Sequence, residues 1–424
     1  MKDSNRNIRN YVLLSIGITL VLTGAKILIE QTPIGLKLEL LTFETLQSVL
    51  SNFNPNETLP VVVVDISEIQ GSGEQVIDLD KLKDVLDDVI DKGPRAIAID
   101  VVLTPEDEDF EKPGQKKENK AEAFKKYFDF LDHCVQKKKE KDVPIFVSVG
   151  YRSIEGPAEW LRGIQYRELA ATTIIRRTDT SRIPIWIKGD SQEDKLSSIS
   201  ELLASAYTTP RLPKGISWVI EKTEDDLPGT QTQLGEGMEY AYAPVNYSKL
   251  EAIRETRIST AGGDSVKESG NKLRYKMVII GDGVLEKAVD PYTVPGRSES
   301  VPGVYLHASA AYTFAREQMY EFNFGARIIL DFILSFIVFG GVALVRYKRL
   351  ADASDAPVKN WQSWLFYSVE GAILVLAFLF AYWLGLLWLD FMLVAIVLAL
   401  HPFVEGLVLR VFVKTGKLKL ESVD

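Results

Sequence analysis

The amino-acid sequence predicts an α/β domain with a largely parallel central sheet, accompanied by a four-helix transmembrane region. Two observations carry this prediction. First, runs such as VVVV at 61–64 and AIAI at 96–99 lack the polar alternation of a half-exposed strand. Continuous β-branched and apolar runs are typical of strands buried on both faces, as in a parallel sheet. Second, apolar residues crowd the two ends of the chain, whereas charged residues crowd its middle.

Composition excludes several classes of protein. At 424 residues the chain exceeds one ordinary domain. Its net charge of −9 argues against nucleic acid as a partner. The single cysteine, Cys134, can form no intrachain disulfide, and no CxxC or Cys/His cluster indicates a structural zinc site. We interpret Cys134 as an unreactive core residue.

Four apolar stretches have roughly the 20 residues that a helix needs to cross a bilayer. They comprise residues 11–29, 328–345, 363–386 and 389–412. The first follows a basic N-terminal segment, which also suits a signal peptide. Its apolar run is long, however, and no small-x-small cleavage site follows, so we interpret it as an uncleaved anchor.

The basic residues beside these stretches predict their orientation. Lys and Arg stand before the first stretch, after the second and after the fourth. By the positive-inside rule, both termini and the loop 346–362 lie in the cytoplasm. The sequence therefore predicts a multi-pass membrane protein. Its predicted parts are a cytoplasmic N-terminus with the first span (1–30), a translocated domain (31–326), three further spans (327–412) and a cytoplasmic tail (413–424).

Five ionisable residues lie inside the predicted spans, where charge is costly and needs a reason. They are Lys26, Asp331, Glu370, His401 and Glu405. Lys26 and Asp331 lie near the outer ends of the first two spans, at a similar depth at which they could pair. The other three lie toward the cytoplasmic ends of the last two spans. They indicate a proton path or a docking surface, or else packing and snorkelling near the interface.

The middle of the chain predicts a βαβ unit followed by further strands and helices. A helical pattern at 36–53 precedes a strand at 59–67, an amphipathic helix that begins at Leu79 and ends at Gly93, and a strand at 94–104. Later elements are a helix at 121–142, a strand at 143–151, two strands across a turn at Asp179, a helix at 196–207 and a strand at 276–281. A small-residue helix from Gly303 is predicted to present one face formed by Val304, His307, Ala308, Ala311 and Ala315. Residues 221–271 are predicted to be mostly loop, with a short strand at 240–247.

Candidate ligand or metal-binding residues stand where the predicted strands end. Asp65 ends the first strand and Asp100 lies in the second, and ligands bind at the carboxyl edge of open α/β sheets. Asp290 and His307 would join them if the last strand lies alongside. Three carboxylates and a histidine suit a hard or borderline cation. The alternative is that the carboxylates cap turns and that His307 is a core histidine; a pH-sensing role for His307 also stays open.

Motifs of common enzymes are missing from the sequence. Gly281 and Gly283 begin a dinucleotide fingerprint, but Glu286 occupies the place of its third glycine, so we reject that motif. No GxSxG, HExxH or P-loop pattern occurs. We therefore expect no catalytic activity, and the sequence identifies no cofactor.

Several segments together resemble the CHASE2 family of bacterial extracytoplasmic sensor domains. They are VVVVDIS at 61–67, PRAIAIDVVLT at 94–104, PVNY at 244–247, KMVIIG at 276–281, DPYTVPG at 290–296 and VPGVYLHASAAY at 301–312. The resemblance implies a protein of a bacterial inner (plasma) membrane in which residues 31–326 form a periplasmic α/β sensing domain. Such a domain is usually connected to a cytoplasmic cyclase, kinase or phosphodiesterase. It does not indicate the ligand. The Trp/Arg-containing segment usual after the first strand is replaced here by GSGEQVID, and we expect no output domain after the last span.

Three functions follow as hypotheses. The first is a sensor that relays a periplasmic signal through its spans to a separate membrane or cytoplasmic effector, with a homo-oligomer left open. The second is a structural or assembly subunit of an envelope complex. The third is a periplasmic metal-dependent enzyme that uses the carboxylate and histidine group.

Overall fold

A computed structural model describes most of the chain up to residue 334. The described residues are 2–30, 32–51, 58–69, 77–101, 103, 120–149, 164–173, 175, 180–188, 196–208, 220–221, 239–260, 265–284, 291–316, 320–322 and 325–334, with scattered positions between 372 and 411. The chain forms two compact units. One comprises residues 1–43, 215–221 and 321–424, and the other comprises 44–214 and 222–320.

A six-stranded parallel sheet forms the centre of the second unit. Its strands are β1 (Val61–Asp65), β2 (Ala96–Asp100), β3 (Ile145–Val149), β4 (Ala170–Thr172), β9 (Ile258–Ser259) and β10 (Met277–Gly281), in the order β4-β3-β2-β10-β1-β9. All five described pairings are parallel. Every residue of β1 and β10 is buried, as the β-branched runs predicted. The prediction of a largely parallel sheet is confirmed.

One layer of helices covers one face of this sheet. The helices α3 (Leu79–Asp91) and α4 (Lys120–Lys141) pack against each other and share a core with alternate residues of β1, β2, β3 and β10. Helix α3 begins where the Asp78 carboxylate accepts from two backbone N–H groups, and Gly93 beyond its end has a positive φ of 67°. Cys134 is fully buried in this core, and burial raises the pKa of its thiol, as expected of an unreactive residue.

The other face carries α9 (Gly303–Arg316), which packs on β1 and β10 and against α6 (Ile199–Tyr207). The small-residue pattern predicted one buried stripe on α9, but every residue from Val304 to Thr313 is buried. A helix covered all round lies inside a domain rather than on its surface. The pattern of small residues therefore predicted the burial of only part of this helix surface.

Smaller elements complete the described residues. They are the helices α1 (Lys2–Glu30), α2 (Pro33–Ser51), α5 (Ile164–Arg167), α7 (Leu250–Glu255) and α8 (Ser265–Glu268), and the strands β5 (Arg182–Lys188), β6 (Leu196–Ser197), β7 (Ile220–Glu221), β8 (Glu239–Pro244), β11 (Pro291–Thr293), β12 (Ser300–Pro302), β13 (Tyr320–Phe322) and β14 (Leu386–Leu387). β5 pairs with β6 and β8, β11 with β12, and β7 with β13, all antiparallel.

One prediction from the sequence is confirmed in part and another is wrong. The strand predicted after Asp179 is β5, whereas most residues of the strand predicted before Asp179 lie outside the described residues, so their pairing stays a prediction. The region 221–271 is not mostly loop among its described residues, since it contains β8, α7, β9 and α8. These helices have six and four residues, too few for an apolar period to be recognised.

Helix α1 contains the first predicted span, and α2 begins at Pro33, a residue favoured in the first helical turn. A helical segment at 325–334 contains Asp331 and the start of the second predicted span. Within the described ranges, no helix combines the length and the apolar character that crossing a membrane requires.

Two buried hydroxyls of α9 give a matched test of this packing. The Thr313 hydroxyl accepts from Asn246 N–H (2.9 Å) and donates to Ser309 O (2.7 Å), whereas Ser309 Oγ has no hydrogen-bond partner in the described part of the chain. We expect Thr313→Val to lower the free energy of unfolding by about 1–3 kcal/mol, because it leaves a buried N–H unpaired. Ser309→Ala should change it by about 0.5 kcal/mol or less. Chemical denaturation of both variants checks this, and equal losses would contradict it.

Candidate functional site

Asp65 connects the end of β1 to the turn that follows β10. Its side chain is 1% exposed, and its Oδ1 accepts from Ser67 N–H and from Gly283 N–H, both at 3.0 Å. Its backbone carbonyl accepts from Thr260 N–H at 3.0 Å and from the Thr260 hydroxyl at 2.9 Å. One residue thus joins β1 to the segments after β9 and β10. These contacts favour the interpretation that Asp65 stabilises turns.

An arginine and a tyrosine lie beside this carboxylate. Arg257 Nη1 is 3.9 Å from Asp65 Oδ2 and donates to Gly283 O at 3.2 Å, and the Tyr305 hydroxyl donates to the same carbonyl at 3.3 Å. The neighbouring Tyr305 hydroxyl raises the pKa of Arg257, and burial raises the pKa of Tyr305. The guanidinium therefore supplies a positive charge next to the buried Asp65.

Asp100 and His307 form a separate pair. His307 is 1% exposed; its Nε2 donates to Thr173 O (3.1 Å) and lies 4.0 Å from Asp100 Oδ1. Its Nδ1 is 3.2 Å from Ser200 Oγ, which also donates to the His307 carbonyl at 3.1 Å. Burial raises the pKa of Asp100, and His307 partly opposes that increase. Both ring nitrogens of His307 thus have partners, as in a core histidine.

The predicted four-residue site is divided by the strand order. Asp65 and Asp100 do not lie on neighbouring strands, because β10 lies between them, with Gly281 paired to both residues. His307 accompanies Asp100 rather than Asp65. Among the residues that the structure describes, no three His, Cys, Asp or Glu side chains are grouped closely enough to hold a metal ion. Asp290 lies outside the described residues, so its part in a site stays a prediction.

Ser200, His307 and Asp100 are the residue types of a hydrolytic triad, but their arrangement differs from that of a catalytic triad. The hydroxyl and the carboxylate flank opposite ring nitrogens, yet Nε2 donates to a backbone carbonyl and the carboxylate is 4.0 Å away. Ser200 is fully buried, so a substrate could not reach its hydroxyl without opening of the core. The arrangement anchors α6 to α9.

A second set of charged side chains lies in the unit that contains α1. Lys26 (2% exposed) forms an ion pair with Asp331 (1% exposed), the pair that their similar depth in the predicted spans suggested. Lys26 Nζ is also 3.5 Å from Glu30 Oε2. Arg327 Nη1 lies 3.1 Å from Glu30 Oε1 and 3.3 Å from Glu39 Oε1. We call these five residues, Lys26, Glu30, Glu39, Arg327 and Asp331, the ion network; Glu370, His401 and Glu405 lie outside the described residues.

A family model for the CHASE2 domain matches residues 17–343 of this chain. The chain belongs to the CHASE2 family. No curated protein and no solved structure shows significant similarity to it. The match confirms the resemblance and includes every segment on which the resemblance rests. The CHASE2 domain is a sensor-type extracytoplasmic domain, so the α/β domain described here has a sensory role.

Sequence reasoning missed two residues of the CHASE2 sheet edge, Arg257 and Tyr305. Arg257 lies between α7 and β9, in the segment predicted to be mostly loop. Tyr305 lies off the predicted apolar face of α9. The only signal for Arg257 would have been the short pattern LEAIRE, whose acid and base at positions 251 and 254 suit a surface helix.

The raised pKa of Asp100 predicts the effect of Asp100→Asn. An acid whose pKa is raised by folding makes the folded state lose stability as pH rises from its ordinary value, 3.8, through the raised value. Above that window the full loss is present. We therefore expect Asp100→Asn to raise the melting temperature at pH 7, by an amount that shrinks as pH falls toward 3.8.

Thermal unfolding between pH 3.5 and 8 measures this difference, with the exposed Asp91→Asn as the control. A variant less stable than the wild type at pH 7 would contradict the prediction. That result would mean that the Asp100 carboxylate has a compensating partner, such as a bound cation.

Proposed function

We propose that this CHASE2 protein is a membrane-anchored sensor that passes an extracytoplasmic signal through its membrane helices to a separate partner protein. The family supports the sensory domain outside the cytoplasm. The hydropathy and charge pattern of the sequence supports four spans, with both termini inside. The ion network is the observation that carries the relay, because it joins the end of α1 to the helical segment 325–334.

Burial makes this network depend on its complete set of partners. Three carboxylates and two cations are gathered at one place, and Lys26 and Asp331 are almost inaccessible to water. Removing one partner from a buried ion pair costs about 3–5 kcal/mol, because the remaining charge is left uncompensated. The two helices are therefore coupled: a displacement that separates Lys26 from Asp331 carries an energetic cost of this size.

The outer surfaces of the same helices are apolar. Leu20, Val21 and Leu28 of α1 are more than half exposed, as are Ile329 and Ile333 of the following helical segment. Exposed large apolar side chains suit contact with lipid or with another membrane helix. In the proposed relay, the ion network faces the interior of the bundle and these side chains face lipid or the partner protein.

Site-directed labelling tests the membrane topology. Lys272 is exposed on the α/β domain, and Lys359 lies in the predicted cytoplasmic loop. We expect Lys272→Cys to react with an impermeant maleimide on intact cells, whereas Lys359→Cys should react only after lysis. The wild-type chain is the control, because its buried Cys134 with a raised pKa should stay unlabelled. The opposite pattern would contradict the proposed orientation.

A double-mutant cycle tests the ion network. We expect Lys26→Met to lower the free energy of unfolding of the purified full chain by about 3–5 kcal/mol, with much of the loss recovered in Lys26→Met/Asp331→Leu. Lys141→Met breaks the exposed pair with Asp91 and should cost at most about 1 kcal/mol. If Lys26→Met costs no more than Lys141→Met, the network does not couple the helices. Co-purification in mild detergent then tests the relay: a chain that is always isolated alone contradicts it.

A further inference from the structure

A polar cleft of about 620 Å³ lies in the α/β domain, and Asp65, Asp100 and His307 are not among the residues that line it. Its walls come from the C-terminal part of α2, from the segment that leads into α7, and from the loop between β11 and β12. The lining residues are Glu44, Gln47, Tyr247, Ser248, Glu251, Arg254, Pro295, Gly296, Arg297, Ser298, Glu299 and Val301. Small-molecule sites commonly have volumes of about 300–1,000 Å³. The cleft is therefore large enough for a small organic ligand.

Two guanidinium groups meet at one carboxylate in this cleft. Arg254 Nη1 lies 3.1 Å from Glu251 Oε1, and Arg297 Nη1 donates to the same oxygen. Within the described residues, these contacts engage one nitrogen of each guanidinium, and each group carries five N–H donors. The three side chains together carry a net positive charge. Carboxylates are among the anions that guanidinium groups bind through two parallel hydrogen bonds.

A tight turn holds Arg297 in this position. Arg297 N–H donates to Val294 O at 3.1 Å, and Gly296 has a φ of +77°. Pro295 followed by a glycine with positive φ is the sequence of a type II turn. The glycine also lies against Glu44, since a Cβ at position 296 would be 3.9 Å from Glu44 Cβ. The turn at 294–297 thus places the Arg297 residue in the same part of the cleft as Glu44.

The opposite wall is fixed by a buried glutamine. Gln47 Oε1 accepts from Tyr247 N–H at 2.8 Å, and Gln47 Nε2 donates to Val245 O at 3.4 Å. These bonds hold the end of α2 to the segment 245–247. Two segments on which the family resemblance rests, 244–247 and 290–296, therefore contribute to the walls of the same cleft.

Negative charge completes the lining. Glu44 is partly exposed and Glu299 is exposed, and no hydrogen bond or ion pair engages either carboxylate within the described part of the chain. The cleft therefore offers a cationic centre at Arg254 and Arg297 together with two available carboxylates. A ligand that satisfies both must carry opposite charges on one small body.

We propose that this cleft binds a zwitterionic solute of the amino-acid or short-peptide class. Its carboxylate accepts from the guanidinium groups of Arg254 and Arg297, and its ammonium group lies beside Glu44 and Glu299. This inference rests on the proposed sensory function, for which it names the class of ligand. Binding of the solute tightens the link between α2, α7 and the 294–297 turn.

Calorimetric titration of the full chain in mild detergent tests the proposal. The probes are the proteinogenic amino acids, dialanine and trialanine, with succinate and putrescine as ligands that carry one sign of charge. We expect at least one zwitterion to bind, and its N-acetyl and C-amide derivatives to bind at least tenfold more weakly. Arg297→Ala should weaken binding of the unmodified zwitterion tenfold or more, so that it binds no more tightly than its C-amide derivative. Glu44→Gln should make the unmodified zwitterion bind no more tightly than its N-acetyl derivative.

Two exposed residues outside the cleft provide matched controls. Arg274→Ala and Glu268→Gln should leave every affinity within about twofold of the wild type. The proposal is overturned if no zwitterion binds, if succinate or putrescine binds as tightly as the best zwitterion, or if the cleft variants behave like the controls. None of these results contradicts the proposed sensory function. That function is contradicted separately if Lys272→Cys is inaccessible from outside the cell.

Discussion

The close approach of α9 to the end of β10 is the constraint on which the domain depends. A Cβ atom on Gly281 would lie 2.9 Å from Val304 Cγ2, and one on Gly283 would lie 3.0 Å from the Tyr305 hydroxyl. Glycine at both positions therefore lets the helix lie directly on the sheet edge. That contact positions the Tyr305 hydroxyl on Gly283 O. A larger residue at position 281 would displace the helix that carries His307 as well.

The same contact explains why the edge of the sheet is a poor place for a ligand. One carboxylate oxygen of Asp65 accepts from two backbone N–H groups, and both ring nitrogens of His307 contact other groups of the protein. Buried polar groups with complete partners stabilise a packed core, whereas recognition needs groups with unused capacity. Such groups occur instead in the cleft beside α2, where Glu44 and two guanidinium groups face solvent-accessible space. Ligand recognition and structural support are thus separated within one domain.

The sequence predicted those parts of the structure that depend on local chemistry. Buried strands follow from β-branched runs, the end of α3 follows from Gly93, and the pair Lys26–Asp331 follows from two charges that cannot be left alone in apolar segments. Strand order did not follow, because β10 lies some 200 residues along the chain from β1 and is inserted between β1 and β2. Arg257 was missed for a related reason: the elements on either side of it are too short to show a period.

The ion network opposes relative movement of α1 and the 325–334 segment. The charges of Lys26 and Asp331 attract each other strongly, because water is largely excluded from both side chains. A small relative movement of α1 and the 325–334 segment loses much of this attraction while the cost of desolvation remains. In the proposed relay, a partly separated pair is therefore less stable than the intact pair. The energy for such a movement must come from differential affinity of the ligand for two states of the protein, since a ligand that binds both equally shifts nothing.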